Sequence, residues 1–246
     1  MRRANGYVLW EGASLWDGAP IAVVATCFVR PSENDKTDDM IQVFILPRDV
    51  APIESLKTGA DASVCGDCRH RGDGTGRLRS CYVDIGKSPT VVWHAYQRGI
   101  YPKCETLADV AAVGATATKS IRLGAWGDPG MVPREVWDSL LSMTTQTHTG
   151  YTHRWADVGA SLKGVCMASV DSVTEKWDAN ARGFASFRVV RPDEKRERGE
   201  AQCPASEEAG HRVKCKGCPI QCDGATSEAL QGRAIVVHGA GQVHFN

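Results

Sequence analysis

The chain has 246 residues, with 29 Lys and Arg against 29 Asp and Glu, a formal net charge of +0 and ten cysteines. That length suffices for one large domain with a well-buried core. The charge balance excludes a global pull toward nucleic acid and leaves only local basic runs, at 69–79 and 195–198. No stretch approaches about 20 consecutive apolar residues, and the opening Met-Arg-Arg-Ala-Asn-Gly has no apolar run behind it, so a cytoplasmic protein without membrane contact is expected. In that reducing compartment the cysteines are expected as metal or cluster ligands rather than as disulfides.

Residues 21–29 and 40–46 read as two strands of an N-terminal hairpin around the polar turn 32–39, with a further β-like stretch at 7–12. A short helix at 52–59 leads into the first cysteine loop. Pro89 and Gly99 bracket a helix over 88–99, and a second is expected over 105–113. A strand then runs into the glycine-rich turn at 124–130. Pro133 opens a helix whose buried face carries Val136, Leu140 and Met143. Strands at 147–153, 165–170 and 184–190, a polar helix at 172–182 and a final strand at 233–239 continue the alternation, which predicts an α/β chain of parallel β/α units in an incomplete or complete barrel. The charged stretch 191–199 reads as a surface loop.

Two cysteine groups carry the chemistry. Cys65, Cys68 and Cys81 form a C-x2-C-x12-C loop rich in Gly and Arg. Three thiolates hold three irons of a four-iron cluster and leave one iron open, whereas His70 as a fourth ligand would close a structural zinc site. Cys203, Cys215, Cys218 and Cys222 form C-x11-C-x2-C-x3-C, four thiolates for either a structural zinc or an iron-sulfur cluster. Cys27, Cys104 and Cys166 lie in or near apolar segments and read as buried core thiols.

The Cys-Tyr pair that closes the first loop, the Trp126-Gly-Asp-Pro129 turn after a strand, the β/α repetition and the C-terminal four-cysteine insertion together resemble the radical S-adenosylmethionine (SAM) enzymes, in particular a small phage-encoded group. The family's usual loop is C-x3-C-x2-C with the aromatic residue before the third cysteine, so the spacing here differs. The resemblance implies a partial (β/α)6-type radical SAM barrel with the N-terminal hairpin over 1–60, a core over 61–190 and an auxiliary-cluster segment over 191–246. It implies that Cys65, Cys68 and Cys81 ligate a 4Fe-4S cluster that chelates SAM, with Tyr82 packed at that cluster. Gly127, Asp128 and Pro129 would then form the turn that receives the SAM amino group, a task suited to glycine's close approach and to a carboxylate opposite an ammonium.

Polar residues at strand ends supply the remaining candidates. Tyr151 and His153 are expected as catalytic residues. Ser169 and Asp171 are candidates for the ribose or methionyl part of SAM, and Arg188 for its carboxylate or a substrate phosphate. His238 reads as a satisfied buried histidine.

The function implied is reductive cleavage of SAM, fed by an external one-electron reductant, and hydrogen abstraction from a substrate. A second 4Fe-4S cluster would be auxiliary. The phage-encoded group points to isomerisation of an amino-acid-modified thymine in DNA. Two other readings stay open: a zinc-stapled nucleic-acid-binding protein in which residues 69–79 contact phosphate, and a cluster-bearing barrel that no longer cleaves SAM.

Overall fold

Residues 21–25 and 41–46 are apolar with almost no polar interruption, a pattern that leaves a strand no face to show to water. The computed structural model describes residues 4–32, 37–72, 78–157, 159–210, 213–218, 221–225, 232–238 and 242–245. In it these runs form β2 (Pro20–Thr26) and β3 (Ile41–Pro47), buried throughout apart from Pro20. They pair antiparallel as the expected hairpin, and β1 (Gly6–Ala13) adds an outer antiparallel strand to β2.

From β3 onward the pairing becomes parallel, because helical crossovers now separate successive strands. After β3 come α1 (Pro52–Thr58), α2 (Ala62–Cys65), α3 (Ser88–Gln97) and α4 (Leu107–Ala115), and then β4 (Ile121–Trp126) returns beside β3. α4 begins where its sequence says it should: Thr106 accepts from the Asp109 amide, and the Asp109 carboxylate accepts from the Thr106 amide. α5 (Arg134–Ser142) leads to β5 (His148–Thr149), which completes a sheet of order β1-β2-β3-β4-β5. Val136, Trp137 and Leu140 are buried as the periodicity requires. Met143, expected on the same face, caps the helix end and is exposed.

The second sheet is parallel at every pairing and has the order β6-β7-β8-β10-β9, from β6 (Tyr151–Thr152), β7 (Met167–Val170), β8 (Ser186–Val190), β9 (Glu200–Gln202) and β10 (Gly232–Val236). α6 (Val173–Ala181) crosses between β7 and β8. The chain is thus mixed α/β with two parallel-rich sheets, and no pairing among the described residues closes them into a barrel. Segments 1–60, 61–190 and 191–246 share these sheets, since β3 pairs with β4 and β10 with β8. No helix among the described residues is long and apolar enough to cross a membrane.

The strand expected at 147–153 is broken at Gly150, and the break joins the two sheets. Gly150 donates its amide to the Cys222 carbonyl at 2.9 Å and accepts from the Met167 amide at 2.9 Å. A Cβ on residue 150 would stand 2.7 Å from the Cys166 Sγ and 3.0 Å from the Val165 carbonyl oxygen, so only glycine lets the strand pass.

Candidate functional site

The three-cysteine loop and the turns leaving β4 and β6 converge on a cavity of about 350 Å³. Cys65 ends α2, and the chain turns at Gly66 with φ 60° to reach Cys68, which opens a single turn of 3-10 helix over Arg69–Arg71. The twelve residues between Cys68 and Cys81 are closed at their base: the His70 carbonyl accepts from the Ser80 amide at 3.1 Å and the Cys81 amide at 2.9 Å. Of that gap, 73–77, with Gly74 and Gly76, lie outside the described residues. Arg71 pairs with Asp61 at 2.6 Å, and Arg79 donates to the carbonyls of Cys81 and Val83, so both arginines brace the loop.

Cys65, Cys68 and Cys81 all line the cavity. Burial pushes the Cys65 thiol well up, and the neighbouring Cys68 and Cys81 add to the shift. Burial also raises Cys81, which Arg79 partly offsets. Any metal bound here must therefore displace protons from the thiols. Tyr82 lines the same cavity, with its ring stacked on His238 at 5.8 Å.

The turn after β4 is built on tight glycines. Gly124 has φ 67°, and a Cβ there would meet the Gly127 carbonyl oxygen at 2.7 Å; Gly127 has φ 85° and lies against the Ile45 backbone. The Asp128 amide donates to the Val64 carbonyl at 2.7 Å, which fastens the turn to the residue before Cys65. Gly127 and Asp128 line the cavity, whereas Pro129 does not and instead accepts the indole N–H of Trp137 on α5 through its carbonyl at 3.0 Å. The buried Asp128 carboxylate is largely engaged within the fold. It accepts from the Gly130 amide at 2.8 Å, the Thr152 hydroxyl at 2.6 Å and the His153 amide at 2.7 Å, because the turn and the end of β6 need these donors satisfied.

His70 turns away from a fourth-ligand role. Its Nδ1 is bonded to the Ser80 hydroxyl at 2.8 Å and its Nε2 to Asp171 at 2.7 Å. Despite burial, the Asp171 carboxyl stays below the usual carboxylate range because His70 and His153 face it. Asp171 therefore meets the cavity through His70 and is not itself among the lining residues, while Ser169 is. His153 lines the cavity, and its buried Nε2 has no well-aligned hydrogen-bond partner. Burial works against its charged form, yet the adjacent Cys68, with Asp171 and Asp128, raises its pKa to about 10. Among the described residues, His70, His153 and Asp171 are the one set of three whose ligand atoms all lie within 4.8 Å of one another.

The second cysteine group docks on the break between the sheets. Cys203 donates its amide to Ala234 on β10 at 2.8 Å, and Cys222 accepts from Gly150. Lys214 and Lys216 pair with Asp38 and Asp39 at 3.6 and 2.7 Å, so the segment is also tied to the loop before β3. All four cysteines line a second cavity of about 40 Å³. Burial pushes the Cys222 thiol up to about 12, against a hydrogen bond from Tyr151 that lowers it. Tyr151 and Phe187, with ring centroids 4.6 Å apart, line both cavities and form the wall between them.

Arg188 is corrected outright. On β8, Phe187 and Val189 face the cavity, so the alternation sends Arg188 to the opposite side. There it is fully buried and grips Glu200 at the start of β9 through two bonds of 2.8 Å, and also Glu194 in the stretch that reads as a charged surface loop. His238 is corrected too: it is exposed beyond the end of β10, at the cavity lining. Of the thiols expected in the core, Cys104 and Cys166 are buried, while Cys27 is half-buried at φ 72°. Sequence reasoning missed Arg122 and Phe187. The signal for Arg122 was present, since it is a charge at every-second-residue register with Gly124 and Trp126 in an otherwise apolar strand.

Comparison of the chain with family models, with curated proteins and with solved structures finds no match.

Proposed function

We propose that the chain is a radical SAM enzyme whose reaction site is the 350 Å³ cavity. The observation that carries this reading is the convergence of Cys65, Cys68, Cys81 and the Gly127–Asp128 turn on one cavity, with both ring nitrogens of His70 committed elsewhere. Three thiols without His70 suit a cluster that keeps one iron open. The parallel series β3, β4, β5 with β6, β7, β8 and β10, in sequence order, supports the finer assignment of a partial (β/α)6-type barrel.

When bound, the cluster and SAM would supply a one-electron cleavage that yields a hydrogen-abstracting radical. The chain's own residues do the rest. Cys65, Cys68 and Cys81 would hold the cluster, with Tyr82 beside them in the lining. The Gly127 carbonyl, rather than the Asp128 carboxylate, would receive the SAM amino group. Ser169 offers a hydroxyl to SAM, Tyr151 and His153 face the reacting space, and the apolar part of the lining limits water. The second cysteine group would hold an auxiliary cluster. The substrate follows the sequence resemblance: an amino-acid-modified thymine of DNA, isomerised in its substituent.

The test is formation of 5′-deoxyadenosine by the anaerobically reconstituted protein with dithionite and SAM; an iron-loaded protein that forms none overturns the reading. One observation favours a second reading, a cluster-bearing protein that does not cleave SAM. His153 lines the same cavity and couples to Cys68, so its imidazole could serve there as a fourth ligand. In that case the loaded wild type makes no 5′-deoxyadenosine and does not bind SAM, while His153→Ala restores SAM binding.

A further inference from the structure

We propose that Arg122 anchors a carboxylate of the substrate, an inference that rests on reading the 350 Å³ cavity as the reaction site. Arg122 is 8% exposed and lines the cavity in register with Gly124 and Trp126, while Ile121, Leu123 and Ala125 enter the core. Its Nη2 donates to the Tyr82 hydroxyl oxygen at 2.6 Å. Tyr82, Tyr151, Cys81 and Cys215 lie around it, and among the described residues no carboxylate forms an ion pair with it.

A guanidinium keeps its charge in every protein environment, and a buried charge without an opposite partner is costly. Two other buried arginines have carboxylate partners: Arg188 has Glu200 and Glu194, and Arg154 has Asp157. Arg122 instead lines the cavity beside Val83, Trp126, Phe187, Val189 and Ile235, and the one carboxylate among the described lining residues, Asp128, is bonded to Gly130, Thr152 and His153. It is the one Lys or Arg lining that space among the described residues. One guanidinium balances one negative charge and matches the two oxygens of a carboxylate with its fork. Cys81 and Cys215 both feel this arginine, so it stands between the two cysteine groups and would hold the anionic end of the substrate there.

The experiment uses the anaerobically reconstituted full chain. Its melting temperature is followed against sodium acetate, with sodium chloride and inorganic phosphate at matched ionic strength as the other arms. Acetate is expected to raise the melting temperature above the chloride control and more than phosphate does. Arg122→Gln is expected to weaken the apparent acetate affinity about tenfold or more, with Arg122→Lys in between. Binding of SAM by equilibrium dialysis is expected to stay within about twofold in Arg122→Gln.

An acetate response that survives Arg122→Gln overturns the proposal, as does a preference for phosphate. Loss of SAM binding also overturns it, because Arg122 would then belong to the cofactor. Removal of an unpaired buried charge is further expected to raise the melting temperature of the ligand-free variant, and a fall would assign Arg122 to the fold instead. Failure of the enzyme reading is seen separately, as absent 5′-deoxyadenosine from a wild type that still responds to acetate.

Discussion

The amide of Asp128 donates to the carbonyl of Val64 at 2.7 Å, so the turn after β4 and the start of the three-cysteine loop are one piece of backbone structure. The Asp128 carboxylate extends the same fastening to Gly130, Thr152 and His153. Asp128→Ala leaves these three donors without their acceptor, and a loss of about 3 kcal/mol in urea unfolding is expected. Asp128→Asn, which keeps an acceptor oxygen, should lose less. SAM affinity is expected to fall in step with stability across the two variants; a loss of affinity in Asp128→Asn at wild-type stability would return the carboxylate to the ligand.

Arg188 gives the opposite separation. Arg188→Ala strands the fully buried Glu200, and a destabilisation of about 3–5 kcal/mol is expected from an uncompensated buried charge. Under conditions where the variant is folded, its dissociation constant for SAM should equal that of the wild type, as measured by equilibrium dialysis.

Gly150→Ala places a methyl group 2.7 Å from the Cys166 Sγ. Overpacking of this kind costs about 1–3 kcal/mol. Pairing it with Cys166→Ala, which removes the sulfur that is struck, should recover part of the loss, and a double-mutant cycle in urea measures the coupling.

Buried thiols set the alkaline limit of the metal-free chain. Burial holds the Cys166 thiol well above its ordinary value, so the folded state keeps a proton that the unfolded chain releases near pH 8.5. The stabilisation is complete below that pH and is lost as pH rises, by up to about 1.4 kcal/mol per pH unit for each such thiol. Urea unfolding at pH 7.5 and 9.5 should show this loss, and Cys166→Ala should reduce the difference between the two pH values.

The two cysteine groups separate by iron content. Cys81→Ala should remove about four irons and all 5′-deoxyadenosine formation, whereas Cys218→Ala should remove a similar amount of iron and leave some cleavage. Iron analysis beside product chromatography reads both, and an identical total loss in the two variants would make the second centre a requirement of folding.

Much of the fold was legible because its signals are local. The apolar runs at 21–25 and 41–46, the second interrupted only by Gln42, announce strands, and the helix expected over 105–113 is found as α4, starting after Thr106. The three thiols that line one cavity were legible as a group by their spacing. Less legible was anything decided by partners far along the chain. Arg188 was assigned to the site because its neighbours in sequence do not reveal that Phe187 and Val189 own the cavity side, or that Glu200 waits on the other. The break at Gly150 depends on Cys166 and Cys222, and the closure of the cysteine loop on a carbonyl of His70. No short-range pattern encodes either.

The docking of Cys222 on Gly150 and of Cys203 on β10 makes the second cysteine group a late event in the life of the chain. β10 is the last strand in sequence yet lies between β8 and β9, so the sheet edge that receives these cysteines is complete only after residue 236 is in place. Non-local pairing of this sort forms slowly. A ribosome that has released residues 1–190 has delivered Cys65, Cys68 and Cys81, along with the turn that faces them. Cys203, Cys215, Cys218 and Cys222 gain their place on the sheet only once β10 has followed them.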